Sequence, residues 1–371
     1  MPTRFDDIRH YTDAEMQVAL QRLVNCDEFS KVVSYAFPNQ PVDAIAHRIS
    51  QISTVRQLQD TIMVEAMDTV ISKSMTSFTH SGFENLRPEK PHLFVSNHRD
   101  IVLDAYMLQY LLSLNGMKTT RITFGANLMR NDFLRELGLC NKMFRTERTG
   151  TVRHFYESLS HLSDYINSSL LNDGESVWIA QRGGRTKDGL DATDPAVIKM
   201  FGMNDSKIPI VETYSRLSIV PLTVSYEFEP CDSRKAVERC KTKNGHYVKA
   251  PDEDLESIVS GIVEPKGRVH LSIGKPIETC NLQNLPSGRN EFCETLANLI
   301  DNRISAGRQL YANNYIAYDL LNDTTRYVDR YSQMEQSHFI ERLQSKIDAV
   351  KGDVDEVLFR KYFLQLYANA L

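Results

Sequence analysis

The chain has no apolar run approaching the ~18–20 residues that a membrane-spanning helix needs. Its first fifteen residues, MPTRFDDIRHYTDAE, are too polar for a secretory signal. Cysteine is sparse: six in 371 residues, at Cys26, Cys140, Cys231, Cys240, Cys280 and Cys293, with no CxxC pair among them. That spacing argues against a zinc site or a disulfide framework and for a reducing compartment. Positive charge is not in excess either. Forty-three Lys and Arg against forty-eight Asp and Glu leave a net charge of −5, the wrong sign for a nucleic-acid binder. The Gly-x4-Gly-Lys-Ser/Thr order of a P-loop and the Gly-x-Ser-x-Gly elbow of a serine hydrolase are also missing. What remains is an ordinary globular composition, 42% hydrophobic and 25% charged, expected in the cytoplasm, with any membrane contact peripheral.

The rhythm along the chain suggests three parts: a helical region at 1–78, an α/β domain at 79–284 and a helical region at 285–371. Thr12 and Glu15 fit a capping box, followed by Met16, Ala19, Leu20, Leu23 and Val24 at helical spacing. Pro38 and Pro41 break the pattern, and a second helix is expected from Thr54 through Leu58, Ile62, Ala66 and Val70. From His92 onward, short apolar runs alternate with amphipathic ones. HLFVS, TTRITFGA, SVWIAQ, LSIVPLTVSYEF and RVHLSIG read as strands, with helices expected over Ile101–Leu114 and from Val152 to Leu170. Strands alternating with helices imply a mostly parallel central sheet with helices on both faces. Sites in such sheets lie just past the carboxyl ends of the strands.

Four stretches carry candidate chemistry. In SNHRDIVLD, a histidine follows a buried strand with carboxylates in reach, the parts of a general base and its orienting partner. The bland account is a capping aspartate beside a satisfied histidine. In IAQRGGRTKDG, Gly183 and Gly184 sit among Arg182, Arg185 and Lys187, which suits a turn that holds an anion; a plain solvated turn is the alternative. In FGANLMRNDFLRELGLCNKMFRTERTG, Arg130, Arg135, Lys142, Arg145 and Arg148 crowd together as a phosphate-binding patch or a solvated face. In SIVPLTVSYE, Pro221 interrupts an apolar strand, which implies a bulge or an edge. Two aspartates compete for His98. Asp100 is placed to cap the helix that follows. Asp104 lies one turn on and points back toward the strand end, so the geometry favours Asp104 with Asp100 as the alternative.

Taken in order, these stretches resemble the blocks of the phospholipid/glycerol acyltransferases, over roughly residues 80–280. NHRDIVLD is similar to an Asn-His-x4-Asp block, and Phe144 and Arg148 are the nearest matches to a Phe-Arg block. GGRT matches part of a Glu-Gly-x-Arg-Ser/Thr block, and Pro221 matches an apolar strand with a central proline. Two departures mark a divergent branch. Five residues separate His98 from Asp104 where the family has four, and Arg182 or Gly183 stands where it has glutamate. The resemblance implies acyl transfer from acyl-CoA or acyl carrier protein to a hydroxyl of glycerol-3-phosphate or a lysophospholipid. His98 would be the base, oriented by Asp104 or Asp100. Asn97, Arg145, Arg148, Gly183, Gly184, Arg185, Lys187 and Pro221 would bind substrate. No metal or redox cofactor and no nucleic acid is implied, and the membrane contact would be peripheral. A non-catalytic lipid-binding protein and a thioester hydrolase are the alternative readings.

Overall fold

Alternation along the short apolar runs sets the architecture. The computed structural model describes residues 4–147, 152–205, 207–243, 245, 247–250 and 252–371. The chain opens with helices α1 (Asp13–Val24), α2 (Phe29–Ala36), α3 (Val42–Ser50), α4 (Val55–Leu58) and α5 (Val64–Ser74). It continues through β1 (Met75–Ser81), β2 (Leu93–Ser96), α6 (Leu103–Leu114), β3 (Arg121–Gly125), α7 (Asp132–Cys140), β4 (Met143–Thr146), α8 (Val152–Leu171) and β5 (Val177–Ala180). Next come α9 (Pro195–Phe201), α10 (Ile210–Ser215), β6 (Ile219–Tyr226), α11 (Asp232–Lys243), α12 (Glu253–Val263) and β7 (Gly267–Ile273). The end is helical: α13 (Thr279–Gln283), α14 (Arg289–Ala306), α15 (Ala312–Asn322), α16 (Gln333–Ala349) and α17 (Glu356–Ala368).

The described residues form a seven-stranded sheet in the order β1-β7-β6-β2-β5-β3-β4. All neighbours are parallel except β6 and β7. Successive side chains on a strand point to opposite faces. Leu93 and Val95 of β2, with Val177 and Ile179 of β5, therefore pack against α8 and α14 on one face. Phe94, Trp178 and Ala180 pack under α6 on the other. Both faces are buried, which is why these strands read as continuous apolar runs. Further clusters join α1–α4 to α7 at one end and α11 to α15–α17 at the other.

The Thr12–Glu15 capping box forms as expected. At Thr54 the hydroxyl accepts from the Gln57 N–H, but the Gln57 side chain turns to Ser53. The helix that follows passes through a π-helical segment, Gln59–Met63, before α5. The expected helix from Ile101 begins at Leu103, because Ile101 and Val102 belong to the turn that Asp100 closes. The sequence pattern does not mark strands β1 and β4, or helices α2, α3, α7 and α9–α13. Both strands lie at sheet edges with polar residues, so neither shows a buried run. Pro221 lies in a central strand, not at an edge or bulge. In an extended strand, N and C=O of one residue point the same way. The Pro221 carbonyl accepts from Gly274 N–H at 2.8 Å, so its nitrogen also faces that side. The β6–β7 ladder begins one residue later, at Leu222, so the missing N–H falls at the mouth of that ladder and the pairing with β2 is untouched.

Candidate active site

Strand β2, flanked by β5 and β6, delivers its carboxyl end to a tight turn that closes on Asp104 in the first turn of α6. Asp104 has no solvent exposure and accepts four hydrogen bonds. Its Oδ2 takes the His98 Nδ1 at 3.0 Å, the Arg99 N–H at 2.6 Å and the Asp100 N–H at 2.9 Å. Its Oδ1 takes the Tyr226 hydroxyl at 2.8 Å. Burial first, then the charge of Asp104, pushes the Tyr226 hydroxyl well above its ordinary range, so it stays a donor. A carboxylate facing donors assigns the hydrogen to Nδ1 and leaves Nε2 as the basic nitrogen. Trp178 stands edge-on to the imidazole, with ring centroids 5.9 Å apart and planes at 73°.

Asp100 has a different task. Its Oδ1 accepts from the N–H groups of Val102 at 2.9 Å and Leu103 at 2.8 Å, so it caps α6. Its Oδ2 lies against Gly261 of α12, where an added Cβ would come within 2.1 Å. The extra residue in the spacing is taken up by this turn, and the carboxylate that meets the imidazole is Asp104.

His98 opens onto a cleft of about 120 Å³ that Ile101, Phe124, Trp178, Gly184, Arg185 and Lys187 help to line. Two backbone bonds bring the glycine turn there. Gln181 N–H donates to the Ser96 carbonyl at 2.7 Å, extending the β2–β5 pairing, and Thr186 N–H donates to the His98 carbonyl at 2.9 Å. Gly184 has φ +82°, a conformation that favours glycine, while an added Cβ at Gly183 would meet nothing within 4 Å. Among the described residues, nothing accepts a hydrogen bond from the Gly183 or Gly184 N–H. Arg185 Nη1 is buried without a partner. Lys187 pairs with Glu238, and burial lowers its pKa. At the rim, Asp254 of α12 accepts from Asn127 at 2.7 Å and from Lys249 at 2.7 Å.

Three expected substrate contacts lie elsewhere. Asn97 is 1% exposed and its amide is spent on the fold. It donates to the Val224 carbonyl at 3.0 Å and accepts from the Val224 N–H at 2.8 Å, clamping β2 to β6. Arg145 lies on edge strand β4 and lines a neighbouring cleft of about 590 Å³, with Arg9, Arg130 and Arg135. There it pairs with Glu147, and Asn127 borders both clefts. Pro221 sits level with Val95 of β2, short of the strand end, and does not line the cleft. Arg148 lies outside the described residues.

Sequence reasoning missed what stands behind His98. Arg99, 5% exposed, donates to Asp191 at 2.7 Å, to the Gly189 carbonyl at 3.1 Å and to Glu229 at 3.3 Å. Lys235 bridges Glu229 at 2.6 Å and the Arg99 carbonyl at 2.7 Å. Arg308, from the C-terminal helical region, reaches Asp191 at 3.0 Å. Burial alone would raise the Asp191 carboxyl, but Arg99 and Arg308 outweigh it and hold the group below its ordinary range. These charges pair with one another and anchor the turn from the inside, although Asp191 Oδ1 and Arg308 Nε are buried without a hydrogen-bond partner among the described residues.

Residues 77–225 match the model of the acyltransferase family. Among solved structures, the chain is similar to the 1-acyl-sn-glycerophosphate (LPA) acyltransferase PlsC from Thermotoga maritima. The identity is 11%, over 79% of this chain and 95% of that one, with a TM-score of 0.39, too low to carry an argument. No curated protein matches the chain. Among the described residues, no helix is long and apolar enough to cross a membrane.

Proposed function

We propose that the chain, whose residues 77–225 match the acyltransferase family, moves a fatty acyl group from an acyl thioester to a hydroxyl of glycerol-3-phosphate or a lysophospholipid. The observation that carries this reading is the His98–Asp104 pair, at 3.0 Å, opening onto the same cleft as Gly184 and Arg185.

In the proposed reaction, His98 Nε2 takes the proton from the acceptor hydroxyl as its oxygen attacks the thioester carbonyl. Asp104 fixes the tautomer and balances the imidazolium that forms. The unpaired N–H groups of the Gly183–Gly184 turn are suited to the oxyanion of the tetrahedral intermediate. Collapse breaks the carbon–sulfur bond, and the departing thiolate takes the proton back from the imidazolium. Arg185, unpaired beside the base, is suited to the acceptor phosphate, with Lys187 in support. No serine or cysteine nucleophile is required, because the acceptor supplies the oxygen. We assign the donor to acyl-CoA or acyl carrier protein, and the setting to the cytoplasmic face of a membrane, held peripherally, because the acceptor class resides there.

A labelled acyl thioester offered with glycerol-3-phosphate and a panel of lysophospholipids tests this. The expected result is an acylated acceptor made by wild type and not by His98→Ala. Full turnover in His98→Ala would overturn the mechanism. One feature favours a second reading. Arg182 or Gly183 stands where the resembling family has glutamate, as either would in a lipid-binding protein that has lost turnover. Lipid binding with no product from any acceptor would support that reading.

A further inference from the structure

Asp104 divides its donors unevenly. Oδ2 already holds three: the imidazole and two backbone N–H groups of the turn. Among the described residues, Oδ1 holds one, the Tyr226 hydroxyl. The backbone donors hold the carboxylate at Oδ2 alone, so the hydroxyl on Oδ1 supplies its second point of attachment and keeps it from tilting about Oδ2. We infer that Tyr226 is a positioning residue for His98: its hydroxyl pins Oδ1, so that Oδ2 stays aimed at the imidazole Nδ1. This rests on the reading of His98 as the general base.

The bland account is that Asp104 merely satisfies a buried tyrosine. Placement favours more than that. Tyr226 ends β6, a strand buried along its whole length, whereas His98 rides on a turn. The hydroxyl therefore ties the carboxylate that orients His98 to the sheet as well as to the turn, as a supporting group must. Tyr226 touches no part of the cleft, so it acts only through Asp104.

The charges around the pair define what removal would do. Asp104, Asp100 and Glu229 face the Tyr226 hydroxyl. Arg99 lies behind Asp104 and is neutralised by Asp191 and Glu229. Arg185 and Lys187 face His98 across the cleft, with Lys249 and Asp254 paired at its rim. None of these reaches Oδ1 in place of the hydroxyl. Without it, Asp104 becomes a stronger acceptor for the imidazolium, and the base stays protonated to higher pH.

The test is Tyr226→Phe in the full chain, with kcat and KM measured for thioester and acceptor from about pH 5 to 9, the range over which a histidine base titrates. The expected result is a kcat about tenfold lower with KM within about twofold, and an acidic limb of kcat/KM moved to higher pH. A pH profile superimposable on wild type, with kcat within about twofold, would overturn the inference whatever happens to Tm. Should Tyr226→Phe not fold, site-specific Tyr226→3,5-difluorotyrosine keeps the shape and strengthens the donor. The acidic limb should then move to lower pH, and an unmoved limb overturns the inference. His98→Ala in the same series separates the two readings. If it keeps turnover, the base reading fails. If it is inactive while the Tyr226 variants match wild type, only the role of Tyr226 fails.

Discussion

Two histidines bracket strand β2. His92 stands just before it and is 2% exposed. Its Nδ1 meets the Ser218 hydroxyl at 2.9 Å, and its Nε2 accepts from the Arg87 N–H at 3.3 Å. Burial, then the charge of Lys90, lowers its pKa, so it is a neutral packing residue. His98 stands just after the strand. One nitrogen meets a fully buried carboxylate, and the ring borders an open cleft. The residue type and the strand are the same. What sets the proposed base apart from a packing residue is a charged partner on one nitrogen and an open cleft beside the ring.

The comparison breaks first on activity. His98→Ala is expected to lower kcat by about 10³–10⁴-fold, whereas His92→Ala leaves kcat within about threefold and costs about 1–3 kcal/mol of stability through the orphaned Arg87 N–H and Ser218 hydroxyl. Steady-state kinetics beside urea melts checks both. The two aspartates sharpen it next. Asp104→Asn should lose about 10²–10³-fold in kcat, because the amide disturbs the tautomer. Asp100→Asn keeps the cap acceptor and should stay within about threefold of wild type.

The buried charges behind His98 give the third test. Asp191→Asn leaves Arg99 and Arg308 short of their shared carboxylate, at a cost of about 3–5 kcal/mol in denaturant unfolding at pH 7. Because Asp191 is held below its ordinary range in the fold, its stabilisation is present above about pH 4 and is lost as pH falls toward the lowered folded value. Wild type should lose stability on acidification through that window, and Asp191→Asn should lose less. The smallest effect separates the two glycines. Gly184→Ala forces alanine into φ +82° and should cost about 1–2 kcal/mol. Gly183→Ala should leave Tm unchanged, and any loss of activity there reports substrate contact.

The legibility of this chain follows range. The His98–Asp104 pair lies within one strand-to-helix turn, and strand end, cap and first helical turn are local features with known directions. Asp100 as a cap was legible for the same reason. The use of Asn97 was not, because the atoms that occupy its amide belong to Val224 on another strand. The sequence groups Arg145 with a basic block, whereas its position depends on β4 being the edge strand. Tyr226 was visible as a strand residue, and alternation sets it with Leu222 and Val224 on the α6 face. Its partner could be known only once β6 lay beside β2. The Arg99–Asp191–Glu229–Lys235 network was invisible, since solvated and buried charges look alike in a sequence and differ only in what covers them.

The most direct measurement is the ratio of thiol released to acyl product formed from an acyl thioester, with and without glycerol-3-phosphate or a lysophospholipid. The account predicts thiol release that depends on the acceptor and matches product one for one. Thiol release at an equal rate without acceptor, or none with any acceptor, would contradict it.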